Sequence, residues 1–284
     1  MDFHSIFRSR CLIMDGAMGT YYSEKYGKES GSPENDNLTA PQKIEEIHRE
    51  YIEAGADILR TNSFASNIRT LCAGNAGRTT REEQLRTVYE NVAASCRIAR
   101  SAVEQECSRA KEEGREIKEI YIAGDIGPVS GKRGGEEQDE ELAEEYKTMA
   151  KAHLDAGLKL IWFETFPDFE YILPVAEWIK SVSDAFVMAS FSVNVFGYTK
   201  TGTGMRELLK TAKESDLIDG IGFNCGIGPS HLGKLLKRQD LGELIVAAVP
   251  NAGYADRSEN RMVYRDNSGY FSEAMEEIAG QGVN

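Results

Sequence analysis

The chain has 284 residues, 41% hydrophobic and 28% charged, with a formal net charge of −13 at pH 7 and a sequence pI near 4.9. That length suits a single barrel-sized domain, and the acidic balance excludes a nucleic-acid binder, because no basic stripe exists to displace counterions. No run of 18 apolar residues occurs and Met1–Arg10 has no apolar stretch, so the sequence predicts no membrane span, no signal peptide and a cytoplasmic location.

Short apolar runs alternate with charged segments of helical period, the pattern of βα units feeding a parallel sheet. In chain order the sequence predicts a strand over Cys11–Ala17, a helix over Pro41–Ala54, a strand over Ala56–Phe64 and a helix over Thr80–Glu113. Strand Ile120–Ile126, helix Glu136–Ala156, strand Leu158–Phe166 and helix Phe169–Val182 come next. The remainder reads as strand Phe186–Asn194, helix Gly204–Glu214, strand Ile218–Cys225, helix Ser230–Arg238, strand Leu244–Val249 and helix Ser272–Ala279. Apolar residues recur at spacings of three and four in the helices, and Gly55, Gly157 and Gly280 stand where left-handed caps would end them. Seven such units predict the α/β class and a (β/α)8 TIM barrel lacking most of strand eight, since the chain stops at Gly282-Val283-Asn284, where that strand would begin. The competing open doubly wound sheet calls for Gly-x-Gly-x-x-Gly in its first turn, and Asp15–Thr20 offers only Gly-x-x-Gly.

Polar residues gather where the predicted strands give out: Asp15, then Thr61, Asn62 and Ser63, Asp125, Glu164 and Thr165, Ser192 and Asn194, Asn224 and Cys225, and Asn251. In a barrel those ends converge on one face; the same residue types also serve as helix caps and turns. Glu164 ends the apolar run Leu160–Phe163, where a carboxylate is costly without a cationic or hydrogen-bonding partner. Cys225 ends another apolar strand, ahead of the chain breakers Gly226, Gly228 and Pro229. It reads as a metal ligand or nucleophile, or as a small packed hydrophobe.

The five cysteines (Cys11, Cys72, Cys96, Cys107, Cys225) are odd in number and never spaced Cys-x-x-Cys, as suits reduced thiols. Glycine-rich segments at Gly124–Gly135 and Tyr198–Gly204 could offer N–H groups to an anion, though neither matches a P-loop. His48 and His153 fall in helical runs and are expected on the outside; with His4 and His231 they form no paired-histidine metal motif. A Gly-x-Ser-x-Gly elbow is absent.

Seven short segments occur in order: Asp15–Thr20, Ile47–Tyr51 with Ala54–Ile58, Thr61–Phe64, Gly124–Pro128, Glu164-Thr165, Gly222–Cys225 and Pro250–Gly253. Together they resemble the homocysteine-binding module of the homocysteine S-methyltransferases, the family that includes betaine-homocysteine methyltransferase and the N-terminal part of cobalamin-dependent methionine synthase. The resemblance implies that residues 1–284 are a homocysteine-binding barrel, C-terminally truncated, that transfers a methyl group to the thiol of homocysteine to give methionine. It also implies zinc on three thiolates, with Cys225 as the first ligand and the catalytic group. The other two belong to a Gly-Gly-Cys-Cys run that this sequence lacks, and one thiolate alone does not make a tetrahedral zinc site. By the same resemblance Asp15 and Glu164 hold the substrate ammonium, while Thr61, Asn62, Ser63 and Asn224 supply further substrate contacts. Relatives differ in methyl donor, so the donor is unidentified and a donor domain downstream in a longer protein is an expected partner. The alternative function is a catalytically idle barrel that binds a small amino acid or serves as an interaction module.

Overall fold

The computed structural model describes residues 2–27, 31–75, 78–116, 118–129, 136–253, 255–258, 261–264 and 267–284. Ser130–Gly135 of the first glycine-rich segment lie outside the described residues. The chain divides into two compact units, Leu12–Trp162 with Glu177–Ala185, and Met1–Cys11 with Phe163–Ala176 and Phe186–Asn284.

In the Leu12–Trp162 unit, β1 (Ile58–Arg60) pairs in parallel with β2 (Tyr121–Ile126), Ile58 opposite Tyr121 and Arg60 opposite Ala123. The helix Pro41–Glu53 starts on a proline, whose missing N–H costs nothing in the first turn, and buries Ile44, Ile47, His48 and Ile52 at spacings of three and four. Tyr22, Ile44, Ile47 and Ile98 form one apolar cluster, and Ile52, Ala56, Leu59 and Ala102 another beneath β1. The 32-residue helix Arg81–Glu112 opens with a capping box: Thr80 Oγ1 accepts from the Glu83 N–H, and Glu83 accepts from the Thr80 N–H at 2.8 Å.

The boundary between the units falls inside β3 (Leu160–Phe166). In the other unit β4 (Phe186–Phe191), β5 (Gly220–Asn224) and β6 (Ile245–Val249) are parallel neighbours, with Ser190 opposite Gly222 and Asn224 opposite Val249. Within each unit the paired strands are neighbours in the order in which they occur in the chain, β1 beside β2, and β4, β5 and β6 in succession. They are buried almost throughout, as parallel strands with both faces covered must be. β7 (Ala255–Ser258) and β8 (Arg261–Tyr264) make a separate antiparallel hairpin. The structure is thus α/β with parallel strands in both units, and among the described residues β7 and β8 pair with each other and with no parallel strand.

Two boundaries depart from expectation for identifiable reasons. Cys11–Ala17 is not a strand: it makes one isolated bridge, Met14 to Ile58, because the Ile13 N–H turns to the Asp57 carboxylate at 2.8 Å instead of extending a ladder. Phe169–Val182 is not one helix but a 3-10 turn, Phe169–Tyr171, followed by a helix, Leu173–Val182. Pro174 belongs in a first turn, so the regular helix begins beside it.

Val246 of β6 is bonded by Asn284: the Asn284 N–H donates to Val246 O at 2.9 Å, and the Val246 N–H to Asn284 Oδ1 at 3.0 Å. An unpredicted helix, Phe3–Ser9, is capped by Asp2 and packs Phe3 and Phe7 on the Phe186 ring, with centroids 6.2 and 5.1 Å away.

One device occurs in each unit. The Asp57 N–H donates to Ile13 O while the Ile13 N–H donates to Asp57 Oδ2; likewise the Asp219 N–H donates to Val187 O while the Val187 N–H donates to Asp219 Oδ2. In each case the other carboxylate oxygen meets a basic side chain, Lys118 at 2.9 Å and His4 at 3.2 Å. Among the described residues no helix is long and apolar enough to cross a membrane.

Candidate functional site

The ends of β3 and β5 place Glu164, Thr165, Asn224 and Cys225 together. The link is the Asn224 carboxamide, itself buried. Its Oδ1 accepts from the Thr165 N–H at 3.1 Å and from Ser190 Oγ at 2.6 Å. Its Nδ2 faces Thr165 Oγ1 at 2.6 Å, Glu164 Oε1 at 3.3 Å and Cys225 Sγ at 3.3 Å. Three of the expected site residues, Glu164, Asn224 and Cys225, therefore belong to one hydrogen-bonded group.

Two members hold backbone conformations that L side chains rarely adopt. Thr165 has φ 64° and Cys225 φ 55°, the two non-glycine residues with positive φ among those described. For a β-branched residue this is a genuine outlier, and each such conformation costs on the order of 1–3 kcal/mol. The cost is met by local bonds: the Cys225 N–H to Val249 O at 3.0 Å and the Ile227 N–H to Cys225 O at 2.6 Å. Gly226 completes the turn at φ 69°, where a Cβ would lie 2.5 Å from Val193 O. Glu164 is only 7% exposed whereas Cys225 is exposed, so the carboxylate is drawn into the interior and the thiol stands at the surface of the group.

In the Leu12–Trp162 unit, Asp15 is buried with Arg60: Oδ1 accepts from Nε at 2.8 Å and Oδ2 from the Arg60 N–H at 3.0 Å. Arg60 Nη2 also donates to the carbonyls of Asp15 and Gly16. Thr61, Asn62 and Ser63 are buried as well, and their side chains bond to the protein. Thr61 Oγ1 accepts from the Asp125 N–H at 2.9 Å and Ser63 Oγ donates to Asp125 O at 2.7 Å. Asn62 Nδ2 donates to Pro33 O and to Asn37 Oδ1. These three residues knit the segment after β1 to its neighbours.

Other expectations resolve as local structure. Asn194 Oδ1 caps a turn by accepting from the N–H groups of Phe196 and Tyr198, and the Asn251 N–H donates to Ile227 O. In the second glycine-rich segment, N–H groups close on the segment itself, Thr199 to Thr203 O and Gly202 to Thr199 O. The Asp168 carboxylate stands beside its threonines, which disfavours an anion there.

His48 and His153 are buried, not exterior. Burial lowers each to about 4, the Arg60 charge adding to the effect at His48. Cys96 lies 3.2 Å from His153 Nδ1, and burial pushes its thiol up to about 12, so that pair is packing rather than a reactive dyad.

A structural or catalytic zinc needs three or four thiolate, imidazole or carboxylate donors around one point. Cys72 and Cys96 are buried elsewhere, and among the described residues no group of three or more His, Cys, Asp or Glu could hold a metal ion. Beside Cys225 Sγ stand the Asn224 amide nitrogen at 3.3 Å and the Thr165 hydroxyl at 3.9 Å, which are hydrogen-bonding groups and not a thiolate set. The described residues therefore do not by themselves fit the expected ion.

Sequence reasoning passed over Ser190 and Arg60. Ser190 sits mid-strand in an apolar run, and its only signal is being the polar residue in Phe186–Phe191. Arg60 breaks the apolar run Ile58–Leu59 just before Thr61, a charge in a strand that needs a buried partner.

Comparison with known proteins bears on what this group serves. The family model described as homocysteine S-methyltransferase matches residues 12–284. The methionine synthase of Mycobacterium tuberculosis (strain ATCC 25618 / H37Rv) is 28% identical over 267 residues, covering 89% of this chain and 21% of that protein. The methionine synthase of Mycobacterium leprae is 26% identical over the same length and shares. The chain thus spans about a fifth of the length of the curated relatives it matches. Among solved structures, the homocysteine methyltransferase MmuM from Escherichia coli in its oxidized form has a TM-score of 0.76 at 21% identity, covering 96% of this chain and 89% of that one. Its metallated form has a TM-score of 0.72 at 20% identity, covering 99% and 92%. At these identities the likeness establishes a shared fold.

Proposed function

The chain belongs to the homocysteine S-methyltransferase family, and we propose that it binds homocysteine and presents its thiol to a methyl donor, yielding methionine. The observation that carries this reading is the pairing of the Glu164 carboxylate, at the end of β3, with the Cys225 thiol, just past the end of β5, through one carboxamide. An amino-acid thiol has a cationic end and a sulfur end, and this group offers a carboxylate for the first and a polar, surface-facing position for the second. A carboxylate drawn into a strand end makes a strong charge-assisted bond to an ammonium.

In the proposed reaction the substrate sulfur forms a bond to the methyl carbon, the bond from methyl to donor breaks, and its electron pair leaves with the donor. The thiol proton departs to solvent or donor. Glu164 fixes the amino end and Asn224 holds Glu164 and Cys225 in register. Asp15 is proposed as a further ammonium contact, its carboxylate already oriented by Arg60. Thr61, Asn62 and Ser63 support that strand end through their bonds to the protein. We also propose that β1 to β6 belong to a (β/α)8 barrel and that the protein works in the cytoplasm. A zinc ion on Cys225 would need two further thiolates from outside the described residues, so no step is assigned to a metal. The methyl donor, and any domain that carries it, lies outside residues 1–284 in this reading.

Calorimetric titration with L-homocysteine, and with L-homoserine as the control in which oxygen replaces sulfur, tests the proposal. Saturable binding of homocysteine with clear preference over homoserine supports it. Equal or absent binding of both overturns it, and binding without methyl transfer from any of the donors used by relatives would favour the idle-barrel alternative.

A further inference from the structure

We infer that Ser190 is a positioning residue for the homocysteine site: its hydroxyl anchors Asn224 Oδ1 and thereby holds Nδ2 in place toward Glu164 and Cys225. The inference rests on the function proposed above and extends it to a residue one layer behind the substrate.

A carboxamide has two faces of opposite character, an acceptor oxygen and a donor nitrogen. On the acceptor side of Asn224 stand the Thr165 N–H at 3.1 Å and Ser190 Oγ at 2.6 Å; on the donor side stand Glu164 Oε1, Thr165 Oγ1 and Cys225 Sγ. Turning the amide over would set Nδ2 against the Thr165 N–H, donor against donor. It would also point Oδ1 at the Glu164 carboxylate, acceptor against acceptor. The Thr165 N–H and the Glu164 carboxylate thus set which way the amide faces, and the Ser190 hydroxyl, able to donate or accept, is the side chain that holds Oδ1 in place, with the shorter of the two bonds to it.

Ser190 is itself held for this task. It is fully buried on β4 and lies opposite Gly222 on β5. A Cβ at Gly222 would sit 2.8 Å from Ser190 Oγ and 3.1 Å from its Cβ, so only glycine leaves the hydroxyl its place. The sequence Gly222-Phe223-Asn224-Cys225 therefore carries two requirements at once: space for Ser190 at the first position, and the carboxamide that Ser190 anchors at the third. Because Ser190 is buried, it acts through Asn224 rather than on the substrate.

The test combines the Asn224 side-chain amide resonances, read by 15N–1H NMR on ligand-free protein, with homocysteine affinity by calorimetry. Ser190→Ala is expected to shift or broaden the Asn224 Nδ2 resonances and to weaken homocysteine binding about three- to tenfold, the effect of one buried neutral hydrogen bond. Gly222→Ala, which crowds the same hydroxyl, should move both readouts in the same direction. Unchanged amide resonances in Ser190→Ala would overturn the inference, and so would shifted resonances with unaltered homocysteine affinity, which would leave Ser190 a merely structural residue. If the parent protein binds no homocysteine, the proposed function fails. The resonances then decide separately whether Ser190 anchors the amide: unchanged, they reject it, and shifted, they uphold it.

Discussion

The Asp15 carboxylate and the Arg60 guanidinium form a buried ion pair, 2.8 Å from Oδ1 to Nε, with side chains only 3% and 10% exposed. Removing one partner of such a pair leaves the other charged and unsatisfied, which costs about 3–5 kcal/mol. Asp15→Ala is therefore expected to lower the unfolding free energy by roughly that amount, as well as affecting ligand binding. Urea unfolding at neutral pH checks it, and a loss below about 1 kcal/mol, the size of an exposed pair, would show that the pair holds nothing together.

Glu164→Gln should behave differently. The amide keeps the shape of the carboxylate beside Asn224, so the fold should persist, while an ammonium ligand loses a charge-assisted partner. Homocysteine affinity is expected to fall by about 1.5–3 kcal/mol. Calorimetry together with a thermal melt decides; unchanged affinity would remove Glu164 from the site.

Cys225→Gly removes the thiol and the positive-φ cost together. Relief of strain offsets the greater freedom of glycine in the unfolded chain, so stability should stay within about 1 kcal/mol of the parent or rise. Methyl transfer should disappear. Activity retained in Cys225→Gly would exclude the thiol from the reaction.

Acid should destabilise the protein through its buried histidines. His48 and His153 are held near 4 by burial, below the ordinary value of 6.5. The unfolded chain therefore takes up protons first as pH falls. The stability from keeping them neutral is present above pH 6.5 and lost progressively towards pH 4, about 2 kcal/mol per histidine between pH 7 and pH 5. Neither ring nitrogen of His48 has a hydrogen-bond partner, so His48→Leu should leave stability at pH 7 equal or higher and should flatten the loss on acidification. An unchanged slope between pH 7 and pH 5 would contradict this.

Much of this was legible in the sequence where periodicity and capping agree. Thr80 and Glu83 mark the start of the long helix, and the apolar runs of β2, β3 and β6 fall within two residues of expectation. Where a carboxylate competes with the ladder, legibility failed: Asp57 takes the Ile13 N–H and leaves an apolar segment as a single bridge. The helix Phe3–Ser9 carried a readable signal, Asp2 followed by phenylalanines four apart, but too short a period to weigh against a loop. At the site, residue types at strand ends pointed to Glu164, Asn224 and Cys225. They pointed equally to Thr61, Asn62 and Ser63, and which partners each hydroxyl or amide finds was not legible, because those partners lie more than 20 residues away.

The matched carboxylate clasps at Asp57 and Asp219 bear on how the chain tolerates length changes. Each clasp joins the residue just ahead of a strand to a residue of an earlier segment, Asp57 ahead of β1 to Ile13 and Asp219 ahead of β5 to Val187 of β4, by two bonds in opposite directions. Deleting or inserting a single residue ahead of β1 or β5 would unhook both bonds, at Asp57 leaving a buried carboxylate without them, besides turning every side chain of the strand to the opposite face. Indels should accordingly be filtered out at strand entries. The turn at Tyr198–Gly204, closed on itself by its own amides, is where extra residues can be admitted without disturbing either clasp.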